Sequence, residues 1–232
     1  MRGKSPRDYK EFLRTGRWFS ALPEPLVDAL LAAAQLQTLQ PGERLFSRGD
    51  LPSGLYGVLD GAIRVTATSP GGKEALLTLL EAPAWFGEIS VFDGQPRTHD
   101  AISDGESLVV HVPQGALDRL LAGEPGWWRD LGLLVTSKLR LAFLAMEEAA
   151  LLPIPVRLAH RLLQMAEGYG ERQTHTSRTV EVSQDQLAMM LSTTRQTANH
   201  HLKELEARGL IRLSYGSIEI LDPDGLRRFG TT

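Results

Sequence analysis

At 232 residues and 25.5 kDa the chain is long enough for two domains, each burying its own core. With 42% hydrophobic and 23% charged residues and a mean hydropathy of -0.15, it shows no apolar run of the ~18 residues that a membrane span needs. The absence of cysteine excludes disulfides, Cys-ligated zinc, Cys-held iron–sulfur clusters and thiolate-bound haem, and a net charge of -3 excludes a uniformly basic nucleic-acid binder.

The opening MRGKSPRDYK carries no signal-peptide core, so a cytoplasmic protein without a membrane partner is expected. Two helical pieces follow, over residues 8–14 and over PLVDALLAAAQ at 25–35, the latter with an apolar stripe and a proline at its start. From about Leu36 to Val112 the texture changes to short apolar segments: LQTLQ, RLFS, LYGVL, AIRVTAT, ALLTLL, AWF and SLVVHV. Pro41-Gly42, Gly49-Asp50, Asp60-Gly61 and Pro70-Gly71-Gly72 divide them, which predicts a compact antiparallel barrel or roll.

A short helix over 114–122 precedes the break Glu124-Pro125-Gly126. Residues 127–151 then read as one long helix, well beyond the usual globular length. Its stripe of Leu131, Leu134, Val135, Lys138, Leu141, Ala142, Ala145 and Ala149 predicts a homodimer seam. The alternative is packing against the chain's own sensor domain alone. Leu152-Pro153-Ile154-Pro155 is expected to be a hinge, since proline disfavours helix in the residue before it. The predicted division is therefore 1–125, 126–152 and 153–232.

Past the hinge, an amphipathic helix over 156–169 and a strand over 179–182 lead to SQDQLAMMLSTTRQTANHHLKELEARGLI at 183–211. Ser183 and Gln186 form a capping box for one helix, and a second runs from about Thr194 to Arg208 with Gly209 as its stop. At about 100° per residue, Ala198, Leu202 and Leu205 share one side of this helix. Arg195, Gln196, Asn199, His200 and Lys203 share the other. Arg matches guanine edges and Gln or Asn adenine edges, so the pair reads as a helix-turn-helix with its second helix in the major groove of double-stranded DNA. Ile211-Arg212-Leu213 and Ile218-Glu219-Ile220, joined at Tyr215-Gly216, add a hairpin wing. Thr194 at the helix start and Arg212 on the wing complete the expected DNA contacts. Gln196 has a rival local role in a capping box with Thr193.

Roll, long helix and winged helix-turn-helix, in that order, resemble the Crp/Fnr family of bacterial transcription regulators from about Phe19 to Ile220. The α+β fold implied is a jelly-roll-like sensor, a dimerisation helix and a DNA-binding domain. The most specific piece is FGEISVFDGQPRT at 86–98, which looks like the phosphate-binding cassette of cyclic-nucleotide-binding domains. On that resemblance Arg97 pairs with phosphate oxygens, Glu88 accepts from a ribose hydroxyl and Thr98 adds a hydroxyl. Gly87 allows close approach, and the amides of Ile89 and Ser90 face the anion. The bland alternative is a Glu88–Arg97 pair that only ties the cassette together. The resemblance further implies a homodimer on a pseudo-palindromic operator, with RNA polymerase as a further partner.

The residues that read adenine in the family fall at Ala142 and Phe143, and His99 and Asp100 replace small residues. This argues against cyclic AMP as the specific ligand and leaves another nucleotide or no effector. Haem on His99 or His111 is the rival cofactor, although a lone strand histidine is more often packed. A ligand-binding module without DNA binding is the other alternative. No enzyme motif is present: the six histidines lack metal-ligand spacing, and neither G-x-S-x-G nor a P-loop occurs.

Overall fold

The computed structural model describes residues 4–170 and 178–230. A 3-10 turn at Pro6–Tyr9 runs into α1 (Lys10–Leu13), and α2 (Arg17–Ser20) and α3 (Glu24–Ala33) follow. Strands β1 (Gln35–Leu39), β2 (Arg44–Phe46), β3 (Gly54–Asp60), β4 (Ala62–Thr68), β5 (Glu74–Glu81) and β6 (Trp85–Phe86) then lead to α4 (Glu88–Asp93). After α4 come β7 (Asp100–Ser103), β8 (Ser107–Pro113), α5 (Gln114–Gly123) and α6 (Trp127–Leu151). The strands form two sheets of order β1-β8-β3-β6 and β2-β7-β4-β5, the antiparallel roll expected from the turn spacing. Only β7, the segment DAIS, has no counterpart in the sequence pattern. Its pairing with β2 and β4 decides its conformation, and four residues carry too little alternation to announce it.

Strand β3 is buried along all but its last residue because both of its faces are covered. Tyr56 and Val58 point into the core between the sheets, with Ile63, Phe86, Ala101 and Val109. Leu55 and Leu59 point the other way, into a core roofed by helices. There Phe19 stacks on Trp85 at 5.1 Å with 8° between the planes, and Trp18 meets the same indole edge-on at 5.5 Å. The Trp18 indole N–H donates to the Asp130 carbonyl at 2.8 Å, which fastens the N-terminal helices to the start of α6.

Residues 4–67 and 78–139 make one compact unit, and residues 68–77, 140–170 and 178–230 make the other. Leu131 and Leu134 are fully buried in the helix-roofed core of the first unit. Each contributes about 1.5–3 kcal/mol there, and neither has area to offer a partner. They therefore leave the expected seam, and the contact with the chain's own roll holds for this face of α6. Elsewhere round α6 the apolar residues are open: Trp128, Leu133, Leu139, Phe143, Leu144 and Met146 are all exposed.

In the second unit Pro153 is the N-cap of α7 (Ile154–Ala166) and Pro155 sits in its first turn, where a missing N–H costs nothing. The break is thus the joint Leu152-Pro153 alone, not the whole span to Pro155. Next come β9 (Thr179–Glu181), α8 (Gln184–Met190), α9 (Arg195–Ala207), β10 (Ile211–Ser214), β11 (Ser217–Ile220) and α10 (Pro223–Arg228). The strands form a sheet of order β10-β11-β9. Leu162, Leu187, Ala198, Leu202, Leu205, Ile211, Ile218 and Leu226 are buried in this unit. Helix α10 was not expected, although Asp222 followed by Pro223 is an N-cap and first-turn signature: the Asp222 carboxylate accepts from the Gly225 amide at 2.8 Å. No helix among the described residues is long and apolar enough to cross a membrane.

Candidate functional site

Strand β6 ends at Phe86, and the chain turns into α4 through Gly87 at φ 95°. A Cβ at Gly87 would lie 2.8 Å from the Gly54 carbonyl oxygen and 3.0 Å from Arg97 Nη1. Gly87 is needed both for its left-handed backbone and for the approach of the guanidinium. Gly87→Ala is expected to lower folding stability by about 1–3 kcal/mol, read as a lower denaturant midpoint. An unchanged midpoint would show that the cradle tolerates a methyl group.

Arg97 is 4% exposed and lies across this cradle. Its Nη1 donates to the Gly87 carbonyl at 2.9 Å, and its Nη2 donates to Ser53 Oγ at 2.8 Å and the Gly54 carbonyl at 2.7 Å. The guanidinium carbon sits 4.3 Å from the Phe46 ring centre, and Nε is buried with no partner among the described residues. Burial pushes the Arg97 pKa down, and Tyr56 and Glu88 oppose the shift. Glu88 is equally buried, and its Oε2 accepts from Lys138 Nζ on α6 at 2.8 Å. Glu88 and Arg97 therefore have different partners, and a mutual ion pair is not what holds the loop.

The structure brings Gly87, Glu88 and Arg97 together and adds Ser53, Gly54 and Lys138. Lys138, expected in the seam, instead reaches back to the cassette. Its charge on an otherwise apolar stripe was the available signal. Ser90 is buried in α4, whereas Ile89 and Thr98 are exposed. The Thr98 hydroxyl lies 2.9 Å from His99 Nδ1, and burial lowers the His99 pKa, with Arg48 acting the same way. His111 stacks on Tyr56 at 4.3 Å, and its Nε2 lies 2.8 Å from the Ser53 carbonyl. Burial keeps it below the usual histidine range.

In the second unit the helix-turn-helix forms as its caps dictate. The Ser183 amide donates to Gln186 Oε1 at 2.8 Å, and the Gln186 amide donates to Ser183 Oγ at 3.1 Å. The turn between α8 and α9 passes through Ser192 at φ 53°. Thr194, not Thr193, caps α9 by accepting from the Thr197 amide at 3.1 Å. The capping role considered for Gln196 therefore falls away, and its side chain is exposed. Arg195, Gln196, His200 and Lys203 share the exposed side of α9, while Asn199 is half-buried. Asn199 Oδ1 accepts from Gln184 Nε2 at 3.2 Å, which ties one of its polar atoms to α8. Arg195 Nη1 lies 3.2 Å from Asp185 Oδ2. On the wing, Arg212 is paired with Glu219 at 2.7 Å, and Tyr215 stands fully exposed at the tip.

Residues 36–124 match the cyclic nucleotide-binding domain and residues 156–229 the Crp-like helix-turn-helix domain. The CRP-like cAMP-activated global transcriptional regulator of Mycobacterium tuberculosis is 30% identical over 208 residues, covering 87% of this chain and 93% of that protein. The cyclic AMP receptor protein of Thermus thermophilus is 28% identical over 203 residues, covering 87% and 91%. Among solved structures, FixK2 from Bradyrhizobium japonicum superposes with a TM-score of 0.75 at 18% identity, covering 84% of this chain and 96% of that one. The c-di-GMP responsive global regulator CLP of Xanthomonas campestris gives 0.68 at 19% identity, covering 85% and 99%. These last two likenesses concern the fold.

Proposed function

The chain belongs to the Crp/Fnr family and is a DNA-binding transcription regulator, and from that premise we propose that its roll takes a small anionic effector of the cyclic-nucleotide class at Arg97 and Glu88. The observation that carries this reading is the environment of Arg97. It is a buried cation whose hydrogen-bond partners are all neutral oxygens, with no carboxylate among them. Such a charge is costly until an anion meets it, so an entering phosphate gains from a cation already desolvated and oriented. Glu88 then offers a hydroxyl acceptor, which a ribose would share with Lys138 or take from it. Because Lys138 belongs to α6, that exchange alters how the cassette is held to the long helix. A ligand shifts this balance only by binding one arrangement more tightly than the other.

Neither the Ala142 nor the Phe143 side chain has a group that hydrogen-bonds a base. The names of the Mycobacterium tuberculosis and Thermus thermophilus relatives point to cyclic AMP. Isothermal titration of the full-length protein with cyclic AMP, cyclic GMP and cyclic di-GMP is the test. Micromolar binding of one of them is expected, and no heat with any would remove the nucleotide reading.

We further assign the dimer to the exposed face of α6, in a protein working in the cytoplasm. Gly132, Val135, Leu139, Ala142, Met146 and Ala149 follow one another at spacings of three and four, the a and d rhythm of a coiled coil. Val135, Ala142 and Ala149 were expected in the seam, whereas Leu141 and Ala145 fall outside this rhythm. Leu139, 51% exposed, is the residue to test. Leu139→Glu is expected to give a folded monomer in sedimentation at concentrations where the parent protein is dimeric. Leu131→Glu is expected to unfold the roll instead. A dimeric Leu139→Glu protein would refute this seam. We assign residues 1–125 to sensing, 126–152 to dimerisation and 153–232 to DNA, with two recognition helices meeting major grooves about 34 Å apart.

A further inference from the structure

We propose that Asp185 is a specificity-determining positioning residue, which acts on DNA through Arg195. This rests on the reading of Arg195 as a base-reading side chain. Asp185 Oδ2 and Arg195 Nη1 are 3.2 Å apart, with side chains 59% and 67% exposed. An ion pair so open to water adds little to folding. What it changes is the freedom of the arginine. The guanidinium is a planar fork at the end of a long side chain, and reading a base freezes that chain. A carboxylate on Nη1 restricts the rotamers beforehand and leaves the Nε–Nη2 edge, two parallel N–H groups, for guanine O6 and N7.

The neighbouring contact has the same character. Gln184, the residue before Asp185, holds the Asn199 amide at 3.2 Å. Two successive side chains in the first turn of α8 thus hold two side chains of the recognition helix. Asp185 also has a second effect. It puts a negative charge where the motif meets the DNA backbone, and this repels phosphates whatever the sequence. On a correct site the oriented arginine offsets that repulsion, and on a wrong site nothing does. Such an arrangement raises discrimination while lowering non-specific affinity.

The test uses full-length protein and two duplexes: one that the unaltered protein selects from a randomised library, and a scrambled duplex of the same composition. Binding is followed by fluorescence anisotropy at several salt concentrations. The ratio of the two dissociation constants should fall about fivefold to tenfold in Asp185→Ala and Asp185→Asn, a fraction of the discrimination a bidentate guanine contact carries. Binding to the scrambled duplex should strengthen in both variants. Asp185→Glu should recover at least half of the ratio. In an Arg195→Ala background, Asp185→Ala should leave the ratio where Arg195→Ala put it.

Asp185 also stands in the first turn of α8, where a carboxylate favours the helix start. A role confined to that would lower the melting temperature and weaken both duplexes alike. An unchanged ratio in Asp185→Ala, or an equal fall with and without Arg195, overturns the proposal and leaves Arg195 as a base reader. A ratio unchanged by Arg195→Ala alone overturns the reading beneath it as well.

Discussion

Arg97→Ala is expected to weaken nucleotide binding by at least about 100-fold, the largest effect of any single substitution in the roll. Two charge-assisted hydrogen bonds to a phosphate disappear with the side chain, each worth about 1.5–3 kcal/mol. The folded state should tolerate the change better than the burial of Arg97 suggests. The carbonyls of Gly54 and Gly87 lose their donor, at about 1–3 kcal/mol each when buried. A buried cation with no carboxylate among its hydrogen-bond partners is removed at the same time, which offsets part of that loss. Arg97→Lys keeps the charge but loses the fork, and should bind about tenfold more weakly than the parent protein. Titration calorimetry on the parent and both variants decides the matter. If Arg97→Ala binds as the parent does, the ligand sits elsewhere and the cassette is a structural loop.

Arg195→Ala should be equally severe at the other end of the chain. One bidentate guanine contact discriminates by about 1–3 kcal/mol, and a symmetric dimer makes it twice. The expected loss on a palindromic duplex is therefore roughly 2–6 kcal/mol, about 30-fold to 20,000-fold in dissociation constant. Binding to a scrambled duplex should change far less, because a base contact is lost only where the matching base is present. Replacing each base pair of the half-site in turn should show the preference relaxed at one position. Equal weakening on every duplex would make Arg195 a phosphate contact instead.

Much of this molecule is written in local pattern. The 127–151 helix ends where Glu124-Pro125-Gly126 and Leu152-Pro153 say it must. Ser183 and Gln186 cap α8, and Gly209 stops α9 at φ 71°. What local pattern could not supply was choice among equivalent faces. Helix α6 is apolar nearly all round, so Leu131 and Leu139 look alike in sequence. Only the roof of the roll decides that Leu131 is core and Leu139 is free. The cassette shows the same limit. The motif names Glu88 and Arg97, but their partners are a lysine 50 residues away and main-chain carbonyls of β3 and Gly87, which no side-chain pattern displays. Asp222-Pro223 was different: its signal for α10 is local and was there to be read.

The aromatic stack on Trp85 has an optical consequence. The chain has four tryptophans, Trp18, Trp85, Trp127 and Trp128, and all lie in the first unit. Trp85 immediately precedes the cassette, and Trp128 lies edge-on to Phe92 of α4 at 5.1 Å. Indole emission from this protein therefore arises in the first unit alone; the described aromatic residues of the second are tyrosine, histidine, Phe143 and Phe229. Two of the emitters, Trp18 and Trp85, are shielded, and Trp128 is partly open to water. The native chain is thus its own fluorophore-labelled reporter, with emission colour separating a change at the cassette helix from one in the stacked core.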